Sequence, residues 1–186
     1  VSVLNGSFDN YYISVFQKVI DFLDCISINR NCVNSKRVIA DHIRSCVFLI
    51  FYGLVPGNSG HNYVLRRILR RAFFHGKQLG IEGCFLYKLV PIVIDGMGLF
   101  YHELLNYTQL IQNVIKAEEE KFYTTLLNGL CILEKYTAKG FYDSIKSNVL
   151  FKLHDTFGLP LSFVLDVLKD RSICLNIDGF KSLIKK

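Results

Sequence analysis

Between Tyr63 and Phe73 the chain reads Tyr-Val-Leu-Arg-Arg-Ile-Leu-Arg-Arg-Ala-Phe. At about 100° per residue, a helix places Val64, Leu65, Ile68, Leu69, Ala72 and Phe73 within one half-circle. Arg66, Arg67, Arg70 and Arg71 fall on the opposite arc, where Lys77 joins them. Four guanidiniums within two turns repel one another, so they need anionic partners. Acids of the chain itself, such as Glu118, Glu119 and Glu120, would make the arc an ion-paired surface. Phosphates would make it a binding face, which the planar, bidentate guanidinium suits. The segment alone leaves both readings open.

The rest of the sequence supplies further helices. Asp9 can cap one that runs to about residue 25, with Tyr12, Phe16, Ile20 and Leu23 at helical spacing. Ser35 can cap the next, where Ile39, Ile43, Cys46, Val47, Ile50 and Phe51 form one apolar face and Gly53 stops it. The turn formers Val55-Pro56-Gly57-Asn58-Ser59-Gly60 follow as a loop. Helices are then predicted over 61–79, 84–100, 103–137, 148–157, 160–170 and 177–185, with Gly80, Gly83, Gly140, Gly158 and Pro160 at the breaks. Few stretches of period two compete. With 186 residues, 51% of them hydrophobic and 20% charged, a disordered chain is excluded. No repeat and no Pro/Gly/Ser linker divides it. The expectation is all-α: one multi-helix, bundle-like domain with short loops over residues 1–186.

The formal net charge of +6 at pH 7 favours an anionic partner such as nucleic acid or a lipid surface. Cys25, Cys32, Cys46, Cys84, Cys131 and Cys174 include no C-x-x-C pair and no neighbouring His at ligand spacing. Neither a disulfide framework nor a metal site is therefore expected, and a reducing compartment is. Cys46 and Cys131 fall in apolar helical stretches, where a thiol packs as a small hydrophobe. The longest apolar run, Cys46 to Val55, is about half a membrane span, and the run from Cys84 to Phe100 is broken by Lys88, Pro91 and Asp95. No transmembrane helix is expected. The opening residues lack the basic-then-apolar order of a signal peptide, and a chain opening on Val1 is expected to belong to something longer.

Few residues stand out for chemistry. Asn58 lies in a loop of small residues, where asparagine ordinarily closes a turn. Here the loop leads straight into the basic helix, which brings its amide within reach of a polymer held there. Asp41 and His42 are adjacent, and helical neighbours point about 100° apart, which favours ion pairing or capping over acid–base catalysis. Glu118 shares a stripe with Val114, Ile115 and Phe122 and suits a half-buried ion pair, whereas Glu119 and Glu120 are expected to face water. Asp155 closes a short helix within Phe151–Gly158, where an acid opposes the dipole and needs a partner or a task. His154 beside it reads as a surface or packing residue. There is no Walker-type loop, no G-x-S-x-G and no H-E-x-x-H, so no catalytic residue and no metal ligand is predicted.

Four blocks in order, Arg37-Val-Ile-Ala-Asp-His-Ile-Arg-Ser-Cys46, Tyr63–Ala72, Glu118–Glu120 and Leu153-His-Asp-Thr-Phe-Gly-Leu-Pro160, resemble the alanyl-tRNA synthetase family. The opening Asp9-Asn10-Tyr11, with Val15-Phe16, resembles the stretch just after that family's third class II motif. The resemblance covers essentially the whole chain and falls on the helical tRNA-recognition region after the catalytic domain. It implies part of a class II alanine–tRNA ligase whose ATP- and alanine-binding motifs lie upstream and whose zinc-containing editing domain lies downstream. No cofactor is then expected on this stretch, while ATP and Mg serve the whole enzyme. The implied partners are the acceptor stem of alanine tRNA and the remainder of the synthetase chain, with no membrane, in the cytoplasm.

The same resemblance implies that Asn58 and Asp155 read the G·U wobble pair of the stem and that Arg66, Arg67, Arg70 and Arg71 bind its phosphates. The sequence departs from the family in having His61-Asn62 where Arg-Gly is usual, Phe74 on the basic arc where Arg is common, and His154 for a usual Tyr. The alternative is a stand-alone basic helical RNA-binding module without ligase activity, which a reading frame extending upstream into class II motifs would exclude. A helical domain docking on a membrane or a protein partner is a further rival, separated by liposome sedimentation against tRNA competition.

Overall fold

A computed structural model of the chain describes Gly6 and residues 9–137. A 3₁₀ turn, Asn10–Tyr12, leads into α1 (Ser14–Ile26), then α2 (Val33–Phe51), α3 (Gly60–Gln78), α4 (Leu86–Met97), a 3₁₀ segment His102–Tyr107 and α5 (Thr108–Thr137). All regular structure among the described residues is helical, as expected of an all-α, multi-helix fold. The predicted helices over 148–157, 160–170 and 177–185 lie outside the described residues. The chain divides into two compact units, residues 1–121 and 122–186. The first holds α1 to α4 and the start of α5; of the second, only 122–137 are described.

In the first unit α2 is the element on which α1, α3 and α4 all pack, and α1 and α4 also lie against each other. Its predicted apolar face is the reason: Ile39, Ile43, Cys46, Val47 and Ile50 are buried, with Ala40 beside them, while Phe51 at the end of that face is half-buried. Fully burying each large aliphatic side chain stabilises by about 1.5–3 kcal/mol. Cys46 packs there as a hydrophobe, and burial pushes its thiol far up. Cys131, expected to do likewise, is exposed. Helix α2 ends at Phe51, and two residues on Gly53 takes φ +89°, a left-handed conformation that favours glycine.

Two predicted caps are corrected. Asp9 accepts from the Tyr11 N–H at 3.0 Å and so caps the 3₁₀ turn rather than α1. Ser35 lies inside α2, which starts at Val33 without a side-chain cap. Its Oγ donates to Gln78 Oε1 at 3.2 Å and lies 3.1 Å from His75 Nδ1, tying α2 to the end of α3. Arg37, in the first block of the resemblance, pairs with Asp9 and holds its guanidinium 4.8 Å from the Tyr11 ring centroid. That block therefore anchors the chain's opening onto α2.

Helix α4 contains Pro91, which has no N–H to offer the Tyr87 carbonyl one turn back. Gln112 of α5 supplies the missing donor, its Nε2 lying 3.3 Å from that oxygen. At the N-terminus of α4, Phe85 provides no side-chain cap. Glu119, again from α5, accepts the N–H groups of Phe85 at 2.9 Å, Leu86 at 2.8 Å and Tyr87 at 3.1 Å. Glu119 was expected to face water and is instead 3% exposed. A carboxylate at the positive end of a helix, accepting donors that have no partner within the helix, explains why it is there. Burial pushes its carboxyl above the ordinary value, against the pull of those three bonds. Glu120 is exposed as expected, 3.9 Å from Lys116.

Candidate nucleic-acid interface

The basic helix is α3, one residue offset from its predicted bounds. With Val64 at 0°, the sequence centres its apolar arc at about 90°, yet the buried residues run from Ala72 at about 80° to Phe74 at about 280°. Val64, on the apolar arc, is 50% exposed, while Phe74, on the basic arc, is only 5% exposed. The helix is thus turned so that part of its basic side meets protein. The loop that precedes it is tied to its first turn: Gly57 N–H donates to Asn62 O at 3.0 Å, and Tyr63 N–H to Ser59 O at 3.2 Å.

That turn divides the four arginines. Arg66 and Arg70 are partly buried and converge on Glu118, which is 5% exposed. The Arg70 Nε–H donates to Glu118 Oε1 at 3.1 Å. Arg66 Nε lies 3.1 Å from the same oxygen as an ion pair, without the alignment of a hydrogen bond. One buried carboxylate between two guanidiniums removes the repulsion expected between neighbours on the arc. Arg66 also reaches the preceding loop: its Nη1 donates to Asn58 Oδ1 and its Nη2 to the Pro56 carbonyl at 3.2 Å. Asn58 itself is exposed at the foot of the helix. The fold therefore brings Asn58, Arg66, Arg70 and Glu118 together.

Arg67 and Arg71 are exposed one turn apart, and neither has a hydrogen-bond or ion-pair partner among the described residues. His42 and His75 lie near Arg71. Burial first, and the Arg71 guanidinium second, hold both imidazoles below their ordinary value. Asp41 pairs with Arg44 at 3.4 Å, the structural ion pairing expected of it, and lies 3.8 Å from His42 Nδ1, a contact that is an ion pair only when the imidazole is protonated. Lys77, predicted on the basic arc, is occupied: its Nζ donates to Ile81 O at 2.9 Å and Gly83 O at 3.2 Å, closing the turn after α3. Asp155, the other predicted base-reading residue, lies outside the described residues.

Among the described residues, no group of His, Cys, Asp and Glu could hold a metal ion. No described helix is long and apolar enough to cross a membrane. What this face can do is bind anions: two cations without an acid partner among the described residues lie beside one exposed amide whose oxygen is already engaged. Sequence reasoning missed Glu119 and the orientation of Phe74. For Glu119 the only signal was three consecutive acids on one long helix, which cannot all face solvent-side partners alike.

The family described as tRNA synthetases class II (A) has a sequence model that matches residues 1–186. Similar curated proteins include the alanine–tRNA ligase of Nitrosococcus oceani, 42% identical over 186 residues, covering 100% of this chain and 21% of that protein. The alanine–tRNA ligase of Pseudoalteromonas translucida is 42% identical over 182 residues, covering 97% of this chain and 21% of its own length. That of Buchnera aphidicola subsp. Baizongia pistaciae is 41% identical over 187 residues, covering 100% and 21%. The chain spans about a fifth of the length of the curated relatives it matches.

Proposed function

Because the chain belongs to the class II (A) tRNA synthetase family, we propose that it is the stretch of an alanine–tRNA ligase that grips the acceptor stem of alanine tRNA. The observation that carries this is the placement of Asn58, exposed in the loop at the foot of α3, beside the helix whose Arg67 and Arg71 have no acid partner among the described residues. A-form RNA exposes a wide, shallow minor groove, and in a G·U pair the guanine 2-amino group has no pairing partner there. Asn58 and Asp155 read that pair, the carboxylate accepting from the amine. A G·C stem leaves these groups without their partners, and the lost hydrogen bonds supply discrimination.

Of the four arginines offered for phosphate, Arg67 and Arg71 are the pair we assign to it, with Arg66 and Arg70 committed to Glu118. Phosphate contacts set register and carry no sequence information. ATP and magnesium act elsewhere in the enzyme, which joins alanine to its tRNA in the cytoplasm. The remainder of the synthetase chain is thus the stretch's second partner.

Binding of the full-length enzyme to RNA stems that differ only in G·U against G·C tests the assignment. Asn58→Ala or Asp155→Ala should cost about 1–3 kcal/mol on the G·U stem and much less on G·C. Arg67→Ala or Arg71→Ala should weaken both stems alike, each lowering the salt slope by roughly one unit. Equal losses on both stems for the Asn58 and Asp155 variants, or an unchanged salt slope for the arginine variants, would overturn it.

A further inference from the structure

Asn58 carries two kinds of group at one end, a carbonyl oxygen that accepts and an amino group that donates. Which of them meets a ligand depends on what holds the other. Arg66 answers this, because a guanidinium has donors only and can engage nothing on the Asn58 side chain except Oδ1, which it does. Arg66 is fixed in its turn: Nη2 bonds the Pro56 carbonyl at 3.2 Å, and Nε sits 3.1 Å from a Glu118 carboxylate that is 5% exposed. The Arg70 Nε–H donates to that same carboxylate oxygen at 3.1 Å. The side chain at the exposed end of this series is Asn58.

We infer that Glu118 and Arg66 are positioning residues that turn the Asn58 amino group outward, so that residue 58 offers hydrogen-bond donors and addresses an acceptor on the minor-groove edge of the stem. The inference rests on the proposal that Asn58 meets RNA. It narrows that proposal, because an amide so held is suited to a base oxygen, a ring nitrogen or a ribose oxygen. The guanine 2-amino group, itself a donor, is left to a carboxylate.

The test is a binding ratio, Kd on the G·C stem over Kd on the G·U stem, measured with the full-length enzyme and its variants. Asn58→Ala should lower the ratio about tenfold. Asn58→Asp keeps an acceptor for Arg66 but has no N–H, so it should lower the ratio as far as Asn58→Ala; its added charge acts on both stems and cancels. Arg66→Lys keeps the charge beside Glu118 but cannot reach Glu118, Asn58 and Pro56 at once. It should lower the ratio alone and add no further loss in the Asn58→Ala background, and Glu118→Gln should behave the same way.

The failures separate. A ratio unchanged in Asn58→Ala overturns base reading by Asn58, and the positioning role with it. A lowered ratio in Asn58→Ala with a normal one in Asn58→Asp leaves base reading standing and overturns the donor orientation. If Arg66→Lys and Glu118→Gln weaken both stems equally, or lower only thermal stability, the two residues are supports and the positioning role is refuted.

Discussion

Replacing Glu119 with Ala is expected to loosen α4 selectively. The carboxylate accepts three backbone N–H groups at 2.8–3.1 Å, and two of their owners, Phe85 and Leu86, are buried. Stripped of their acceptor, those two donors each cost about 1–3 kcal/mol, while the half-buried Tyr87 N–H can turn to water. Removing a carboxylate that is 3% exposed returns part of this, since burial already works against its charged form. The net expectation is about 3 kcal/mol, which speeds amide exchange through local opening by about a hundredfold. Glu119→Gln is milder, at about 1–2 kcal/mol: one oxygen can still serve Phe85 and Leu86, but the new amino group then faces the Tyr87 N–H, donor against donor. Hydrogen exchange with mass spectrometry on the full-length enzyme reads this directly in peptides covering 85–97, with peptides from α1 as the internal control. Protection in 85–97 unchanged by Glu119→Ala would refute the capping role, and equal loss in α1 would show global rather than local loosening.

Gly76→Ala places a Cβ 2.2 Å from Cε1 and Cζ of Phe85, whose ring is stacked 6.1 Å from that of Phe73. Neither buried ring has room to yield, so a loss of about 1–3 kcal/mol is expected. A denaturation midpoint equal to wild type would show that the α3–α4 contact is slack. His42 and His75 both have folded-state values below 6.5, so the unfolded chain binds more protons just below that pH. The stability they contribute is present above about pH 6.5 and is lost as the pH falls through the window beneath it. Glu119, raised above 4.5, has the opposite sign, stability falling as the pH rises from there. Between pH 7.5 and 5 the two contributions oppose each other, so His42→Gln with His75→Gln should make the denaturation midpoint fall less, or rise more, on acidification than in wild type; an unaltered slope would exclude the histidines as a source of the pH dependence.

Much of the helical order could be read from spacing and turn formers. The helix predicted over 61–79 is Gly60–Gln78, and the predicted face of α2 is the one buried. Both follow from interactions local to one element, namely its period and the residues that end it. Misreadings occurred where a second element decides. Ser35 looks like an N-cap until His75 and Gln78 arrive beside it from α3. Residues 103–107 continue the helical pattern of α5, yet fold as part of a 3₁₀ segment, with α5 starting at Thr108. Glu118 and Glu119 are adjacent and both buried, one against two arginines and the other against three N–H groups. A helical wheel compares a residue with others on its own helix and cannot show which backbone will come to rest against it.

Ion pairing and phosphate binding were alternatives for the arginine arc as long as the arc was treated as one surface. The turn of α3 on its core instead divides the arc into an ion-paired inner pair and an outer pair, for which phosphate binding is proposed. Arg66 and Arg70, at about 200° and 240°, border the buried side and meet an acid of α5; Arg67 and Arg71, at about 300° and 340°, do not. Pairing the inner two lowers the cost of holding all four charges together, and it fixes the helix's rotation, because Glu118 cannot be abandoned once buried. With the rotation fixed, the outer pair is held toward solvent before any ligand arrives, and the entropy of orienting that face is already lost on folding. The two readings of the sequence are thus compatible: with the inner pair engaged by Glu118, the outer two have no acid partner among the described residues and are available to the phosphates proposed for them.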